Sequence, residues 1–397
     1  MPVGILGKFK LPILTEFPDI VSTEDMQQLE KLQIVEKPVK VVAYEEFADR
    51  YSHPFFFGQL GCLFNGMDAR ALAIRWWLQC QESLRKLDMD EPLLNRLIAY
   101  VTKTLAADAV ATFEQSQAIS YYQSWRTTTA HSFPLMLETP SQLPLLKQRW
   151  QELDESGRIR YMTRLCIETL QLEGVFFLTD IAVKDIVSRG IDDACVAPTP
   201  SSPIQHEATI KDILRDTLAA YQYFASDMLH DRLTRSRICM LHAILMKTCR
   251  FGRNDEVIAT GETRTTTGTT VIIGGKRPIE FCPYHLVDAE LDTICDLVQD
   301  RLLDVRDPLM LASWIHLVLV RCHPFDDGNG RISRILASLP LALLGLPPVA
   351  VLQVRAATYY DAVNTAYDGN FDLLAQQMLE CTNDILTDVQ LLSCQEC

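Results

Sequence analysis

Several features are scarce or missing in this chain, and each shortage narrows what the protein can be. Basic charge is in deficit: 37 Lys and Arg stand against 51 Asp and Glu, a net charge of −14. Nucleic acid is therefore not expected as a partner, because gripping a phosphate backbone needs a basic surface. A small local cationic pocket remains compatible. There is no regular cysteine framework. Twelve cysteines are scattered along 397 residues, and the closing "CQEC" has no second pair at zinc spacing, so it reads as a frayed tail. No secretion signal is legible, since the apolar runs of "MPVGILGKFKLPILTEFPDI" are short and broken by Lys8, Lys10 and Pro12. A reducing, cytoplasmic setting is the expectation. An unbroken membrane span is also missing. Ile335 to Leu352 carries no charge over 18 residues, about the length of a span. Pro340, Gly345, Pro347 and Pro348 interrupt it, and a buried helix, a Gly-Pro-Pro turn and a short extended piece are expected instead. No repeat of solenoid period is present, and strand-forming segments are few.

What remains is mostly helix. Apolar residues make up 48% and charged residues 22% of the chain, ordinary for a soluble globular protein. The fold class expected is all-α with one small β-hairpin. Residues 1–155 read as a helical N-terminal domain of unknown role, with apolar positions at helical spacing in "ARALAIRWWLQCQESLRKL" and "LLNRLIAYVTKTLAADAVATF". "HPFFFGQLG" at His53 carries no further chemistry. The spacing predicts a helix over 157–173 capped by Gly174. It predicts another from Thr179 or Asp180. A Pro- and Ser-rich linker follows at 197–205, then a long helix with Ile210, Ile213, Leu214, Leu218 and Tyr221 on one face. "TRTTTGTTVIIGG", with Gly268 at its middle, reads as the hairpin.

The stretch "RCHPFDDGNGRISR", residues 321–334, carries the chemistry. Pro324 stops the preceding helix, "DDGNG" must be a loop, and a new helix begins near Arg331. A loop feeding a helix N-terminus attracts anions, through unpaired N–H groups and the positive end of the dipole. Gly328 and Gly330 let successive N–H groups around Asn329 point into one concavity, an anion nest. Arg331 and Arg334 are three apart, on one face of the first turn, and two guanidiniums imply more than one phosphate. Asp327 beside phosphates calls for an intervening cation, and Mg²⁺ bridging carboxylate and phosphate oxygens supplies it. His323 is the candidate general base. Phe325 reads as a core anchor. Each element alone is common, but eight fixed positions in twelve residues, His-x-Phe-x-Asp-Gly-Asn-Gly-Arg-x-x-Arg, make a specific pattern.

These residues resemble the signature of the Fic (Fido) family of protein adenylyltransferases, and the likeness extends over about 160–382. By that resemblance His323 deprotonates a Ser, Thr or Tyr hydroxyl on a protein target, including the protein itself. Asp327 holds Mg²⁺, and Gly328, Asn329 and Gly330 cradle the α- and β-phosphates of ATP. Arg331 and Arg334 fix the outer phosphates. Val271, Ile272, Ile273 and Gly274 form a flap that clamps target backbone, while Tyr359 and Tyr360 flank the adenine. His316, seven residues before His323, has a structural role. The domains implied are an inhibitory segment at 156–190 and a catalytic core at 206–385. "TLQLEG" resembles the family's autoinhibitory pattern through Thr169, Glu173 and Gly174, with Glu173 pairing Arg334 and withholding it from the γ-phosphate. Tyr367 departs from the Asn that inhibited relatives often carry. Some relatives form homodimers, which the resemblance allows here.

AMP transfer is the function expected. The reverse reaction is the alternative, with Glu173 aligning water to release AMP from a modified protein. A scaffold that binds nucleotide without turnover ranks below both, because His323, Asp327 and both arginines are in place.

Overall fold

The computed structural model describes residues 8–131, 133–134, 141–229, 231–252 and 256–395. The start of the chain up to Gly7 and the last cysteine of the terminal Cys-x-x-Cys lie outside the described residues. In chain order the helices are α1 (Pro12–Thr15), α2 (Thr23–Lys31), α3 (Lys37–Tyr51), α4 (Pro54–Asn65), α5 (Arg70–Arg85) and α6 (Pro92–Ser116). Next come α7 (Leu143–Glu152), α8 (Glu155–Leu172), α9 (Asp180–Arg189), α10 (Glu207–Tyr223), α11 (Arg235–Leu245) and α12 (Arg264–Thr267). Strands β1 (Ile272–Ile273) and β2 (Ile279–Glu280) precede α13 (Val287–Arg301), α14 (Pro308–Cys322), α15 (Asn329–Ala337), α16 (Leu339–Leu343), α17 (Ala356–Tyr367) and α18 (Asp372–Gln395). The protein is mainly helical, with one two-stranded antiparallel sheet among the described residues.

The chain divides into two compact units. The first comprises residues 1–120 and 250–270. Its core is aromatic, with Phe47, Phe55, Phe56, Phe57, Trp76 and Trp77 all buried. Helix α4 lies tight on α5: a Cβ at Gly61 would fall 2.2 Å from the Trp77 ring, so only glycine fits there. The early His-Pro-Phe is a helix cap, with His53 Nδ1 accepting from Phe55 N at 3.2 Å.

The second unit, residues 121–249 and 271–397, carries every residue of the motif. Helix α14 is its axis. It is buried on nearly all sides, Leu309 to Leu319 almost without interruption, because α13, α15 and α18 pack around it. Asp307 caps it by accepting from Leu309 N and Met310 N. Helix α8 is capped by Asp154, whose carboxylate accepts from Gly157 N at 2.7 Å. It ends at Leu172, with Gly174 at φ 67 turning the chain away. Thr179 caps α9. On α10, Ile210, Ile213, Leu214 and Tyr221 are buried, while Leu218 is only partly covered and Thr217 takes the inward position. The uncharged run from Ile335 is split between α15, α16 and a non-helical stretch. Tyr161 pins its turn by donating to the Pro348 carbonyl at 2.7 Å. Among the described residues no helix is long and apolar enough to cross a membrane.

The β segment differs from expectation. Thr263 to Thr267 is not a strand but leads into and forms the turn of helix α12, which Gly268 closes at φ 72. The hairpin sits further on, pairing Ile272 with Glu280 and Ile273 with Ile279. Threonine's strand preference is a preference for packed, half-buried surface rather than a property of the backbone. Here Arg264 is itself buried and donates to the Thr269 carbonyl at 3.0 Å, which favours the compact turn.

Candidate active site

The motif folds as helix, turn, helix. At the end of α14, His323 takes the left-handed conformation, φ 49 and ψ 60, while its N–H still donates to Leu319 O. A non-glycine residue there is strained, which marks a position held by its surroundings. The ring stacks on Phe281 at 4.0 Å, and Nδ1 lies 3.3 Å from the Val320 carbonyl. A carbonyl can only accept, so Nδ1 carries the proton and the acceptor lone pair is on Nε2. That is the tautomer a general base needs.

The loop is braced from inside. Phe325 is fully buried. The Asn329 side chain accepts from Phe325 N at 2.9 Å and donates to Phe325 O at 2.8 Å. Its amide thus closes the loop on itself, leaving only its backbone to line a nest. Gly328 is left-handed, φ 79, and a Cβ there would meet Met246 Sδ at 2.9 Å. The Asp327 carboxylate accepts from Gly328 N at 2.6 Å and lies 3.4 Å from Arg331 Nη2.

The two arginines of α15 are both buried but differ in state. Every nitrogen of Arg334 has a partner. Its Nε donates to Thr169 Oγ1 at 2.9 Å, Nη2 to Glu173 Oε1 at 2.5 Å and to Thr169 O at 3.3 Å, and Nη1 to Tyr359 OH at 3.4 Å. Burial pulls its pKa down, yet the Glu173 carboxylate and Tyr359 outweigh that and raise it above the ordinary value. Arg331 has Nε and Nη1 buried with no oxygen or nitrogen acceptor among the described residues, and only the weakly accepting Cys249 thiol alongside. Buried unpaired donors on a cation beside a glycine turn suit an anion with several oxygens.

The remaining expected residues fall as follows. Thr169 and Glu173 meet Arg334 across some 160 residues of chain, and Gly174 ends their helix. The Glu173 carboxylate lies directly over Gly330, where a Cβ would be 2.2 Å from Oε1. Tyr359 is buried, its hydroxyl 2.7 Å from His316 Nε2, while Tyr360 beside it is half exposed. Burial pushes Tyr359 up to about 12 and, with Arg334 nearby, His316 down to about 3. Val271 to Gly274 lie on and beside the outer strand of the hairpin. The inner strand β2 is flanked by Gln123, whose carbonyl accepts from Glu280 N at 3.0 Å. Arg321 Nη2 donates to Glu280 O at 2.9 Å, tying the hairpin's base to the end of α14. Tyr367 is buried, donates to Ser124 O at 2.8 Å, and has the guanidiniums of Arg126 and Arg321 near its ring.

Three contributors were not expected. His242 lies flat on Phe325, Phe281 supports His323, and the 122–124 segment edges the hairpin. Only His242, a lone histidine in the apolar run "ICMLHAILM", leaves any trace in the sequence.

Residues 232–341 match the Fic/DOC family and constitute a Fic/DOC domain. Protein adenylyltransferase fic-1 of Caenorhabditis elegans is 31% identical over 141 residues, 36% of this chain and 25% of that protein. Protein adenylyltransferase Fic of Aedes aegypti is 37% identical over 79 residues, 20% of this chain and 16% of that protein. The matched region thus spans a quarter or less of these relatives' length. A solved Fic domain containing signaling protein from Bacteroides thetaiotaomicron superposes with a TM-score of 0.49 at 16% identity, covering 64% of this chain and 95% of that one.

Proposed function

We propose that this protein transfers AMP from ATP to a hydroxyl of a protein target, and that Glu173 restrains the reaction by holding Arg334. The observation that carries the reading is the pairing of His323, with its lone pair on Nε2, and Arg331, with two buried unpaired donors, at the two ends of one glycine turn. The names of the matched relatives, protein adenylyltransferases, agree with it.

The residues present fit Mg-ATP. Arg331 supplies donors in search of an anion, and the left-handed Gly328, pressed on Met246 where a side chain would not fit, fixes the turn whose N–H groups face it. Among the described residues no group of three acidic, His or Cys side chains could hold a metal alone. Asp327 would therefore hold Mg²⁺ jointly with the nucleotide, as Mg²⁺ commonly does. The ion would neutralise charge building on the phosphates. Nε2 of His323 takes the proton as the target hydroxyl attacks the α-phosphorus, the P–O bond to the β-phosphate breaks, and pyrophosphate leaves. The loop N–H groups and Arg331 hold the phosphates for that displacement. The open edge of β1 suits a target segment added as a strand.

In this arrangement every nitrogen of Arg334 is engaged and four of its five N–H groups are already donated within the protein. Releasing it requires breaking a charge-assisted bond in a largely buried setting. Glu173→Gly should therefore raise α-labelled AMP incorporation into protein, with His323→Ala added as the blank. Intact mass after incubation with ATP and Mg²⁺ should show the mass of AMP added. No gain of label over the unmodified chain would sink the inhibitory role of Glu173. Label that persists without His323 would sink the base.

A further inference from the structure

His242 has no part in the reading above. It sits on α11, fully buried, and its ring lies on Phe325 with centroids 3.8 Å apart and planes at 2°. Its Nε2 is 3.1 Å from the carbonyl oxygen of Asp327. That oxygen can only accept, so Nε2 carries the proton.

The consequence lies one bond further on. No peptide here is cis, and in a trans peptide the carbonyl and the following N–H point in opposite directions. With the Asp327 carbonyl turned to His242 in the core, the Gly328 N–H must face the mouth of the loop. There the Asp327 carboxylate accepts it at 2.6 Å. Glycine at φ 79 also tolerates the flipped peptide, since it has no Cβ to forbid it. A flip would aim a carbonyl at the site in place of an N–H and repel an anion. The Asn329 amide holds the peptides on either side of Phe325 rather than this one, so on the core side His242 alone holds it, while on the mouth side the exposed Asp327 carboxylate takes the N–H.

We propose that His242 is a positioning residue whose Nε2–H locks the Asp327–Gly328 peptide, so that the Gly328 N–H faces the nucleotide phosphates. This rests on the nucleotide-binding reading.

Calorimetric titration of the full chain carrying Glu173→Gly, with Mg-ATP and separately with adenosine, tests the proposal. His242→Phe keeps a flat ring on Phe325 but removes the donor, and His242→Gln returns an N–H without the ring. ATP binding should weaken about tenfold in His242→Phe, the scale of one buried hydrogen bond lost, and recover in large part in His242→Gln. Adenosine, lacking phosphates, should bind all three alike. Equal ATP affinity in His242→Phe, or a matching loss for adenosine, overturns the positioning role. Failure of the Glu173→Gly parent to bind ATP overturns the nucleotide reading and the proposal together. Should both variants unfold, nitrogen-15 spectra of histidine in the unsubstituted protein decide it. A proton on Nε2 of His242 is expected, and a proton on Nδ1 instead would refute the lock.

Discussion

Gly330→Ala should drive Glu173 off Arg334. The new Cβ would stand 2.2 Å from Glu173 Oε1, inside the 3.0 Å that such contacts do not breach, and 3.0 Å from its Cδ. The carboxylate must retreat by about 1 Å. Its bond to Arg334 Nη2 is 2.5 Å long, and a retreat of that size takes it out of useful hydrogen-bond range. The loss of a charge-assisted bond in a buried setting costs about 1.5–3 kcal/mol, or roughly ten- to a hundredfold in the closed-to-open ratio. Gly330 is helical, inside α15, and not at positive φ. With no carboxylate above it, the one tight contact left is Arg334 Nη1 at 3.2 Å, the far end of a side chain that needs to give only slightly, and alanine's helical preference should stabilise by up to about 0.5–1 kcal/mol. The same substitution thus changes sign with the residue at 173. The assay is native-state hydrogen exchange in peptides covering 165–172 and 329–337, for Gly330→Ala in the natural chain and in Glu173→Ala. A destabilisation in the first background and a neutral or positive effect in the second are expected. Effects equal within about 0.5 kcal/mol in the two backgrounds would mean that the carboxylate does not rest on Gly330.

Thr169→Val keeps the shape of a buried side chain but removes the acceptor 2.9 Å from Arg334 Nε. It should lower stability by about 1.5–3 kcal/mol and raise basal AMP transfer to a level below that of Glu173→Gly, measured by denaturant unfolding and labelled ATP. His323→Ala should abolish transfer while leaving Mg-ATP affinity within about twofold, read by calorimetry. Acid should destabilise the fold early. Burial pushes His242 and His316 down to about 3 and His131 to about 4, the last helped by Arg321 and Arg126. These rings stay neutral while the unfolded chain takes up protons below about pH 6.5, so stability is intact above that value and falls as pH drops. By pH 5 the loss is about 2 kcal/mol per histidine, and urea midpoints at pH 7 and pH 5 measure it. His131→Gln should remove one share, and a midpoint that does not move would refute the neutral assignment.

The 321–334 turn was readable because its signals are local. Pro324 ends one helix, the glycines allow the turn, and Phe325 alternates inward, all within one short stretch. Glu173 was reached only through a family resemblance, since no spacing rule connects residues about 160 positions apart. The threonines of 263–267 suggest a strand by residue type, yet around the buried Arg264 they form a helical turn and the hairpin lies further along. Asn329 and Tyr359 show the other limit. Residue type says that an amide or a phenol can meet a ligand. Packing decides that the Asn329 amide closes its own loop and that the Tyr359 hydroxyl turns inward to His316 and Arg334. His242 shows in the sequence only as a lone histidine in an apolar run, and its contacts, a stacked ring and a backbone carbonyl, leave no pattern there.

The two arginines of α15 differ by one turn of helix and in their partners, since every nitrogen of Arg334 is engaged while Nε and Nη1 of Arg331 are not. A buried guanidinium with idle donors is local frustration in the folded state, a place where the native structure is not at its own optimum. Replacing Arg331 with an apolar side chain of similar length would relieve it and could yield a sturdier fold. On the proposed reading it would also erase the anion site. On that reading the domain is bound to a trade-off at a single position: the residue with idle buried donors is the one that gives a ligand something to complete.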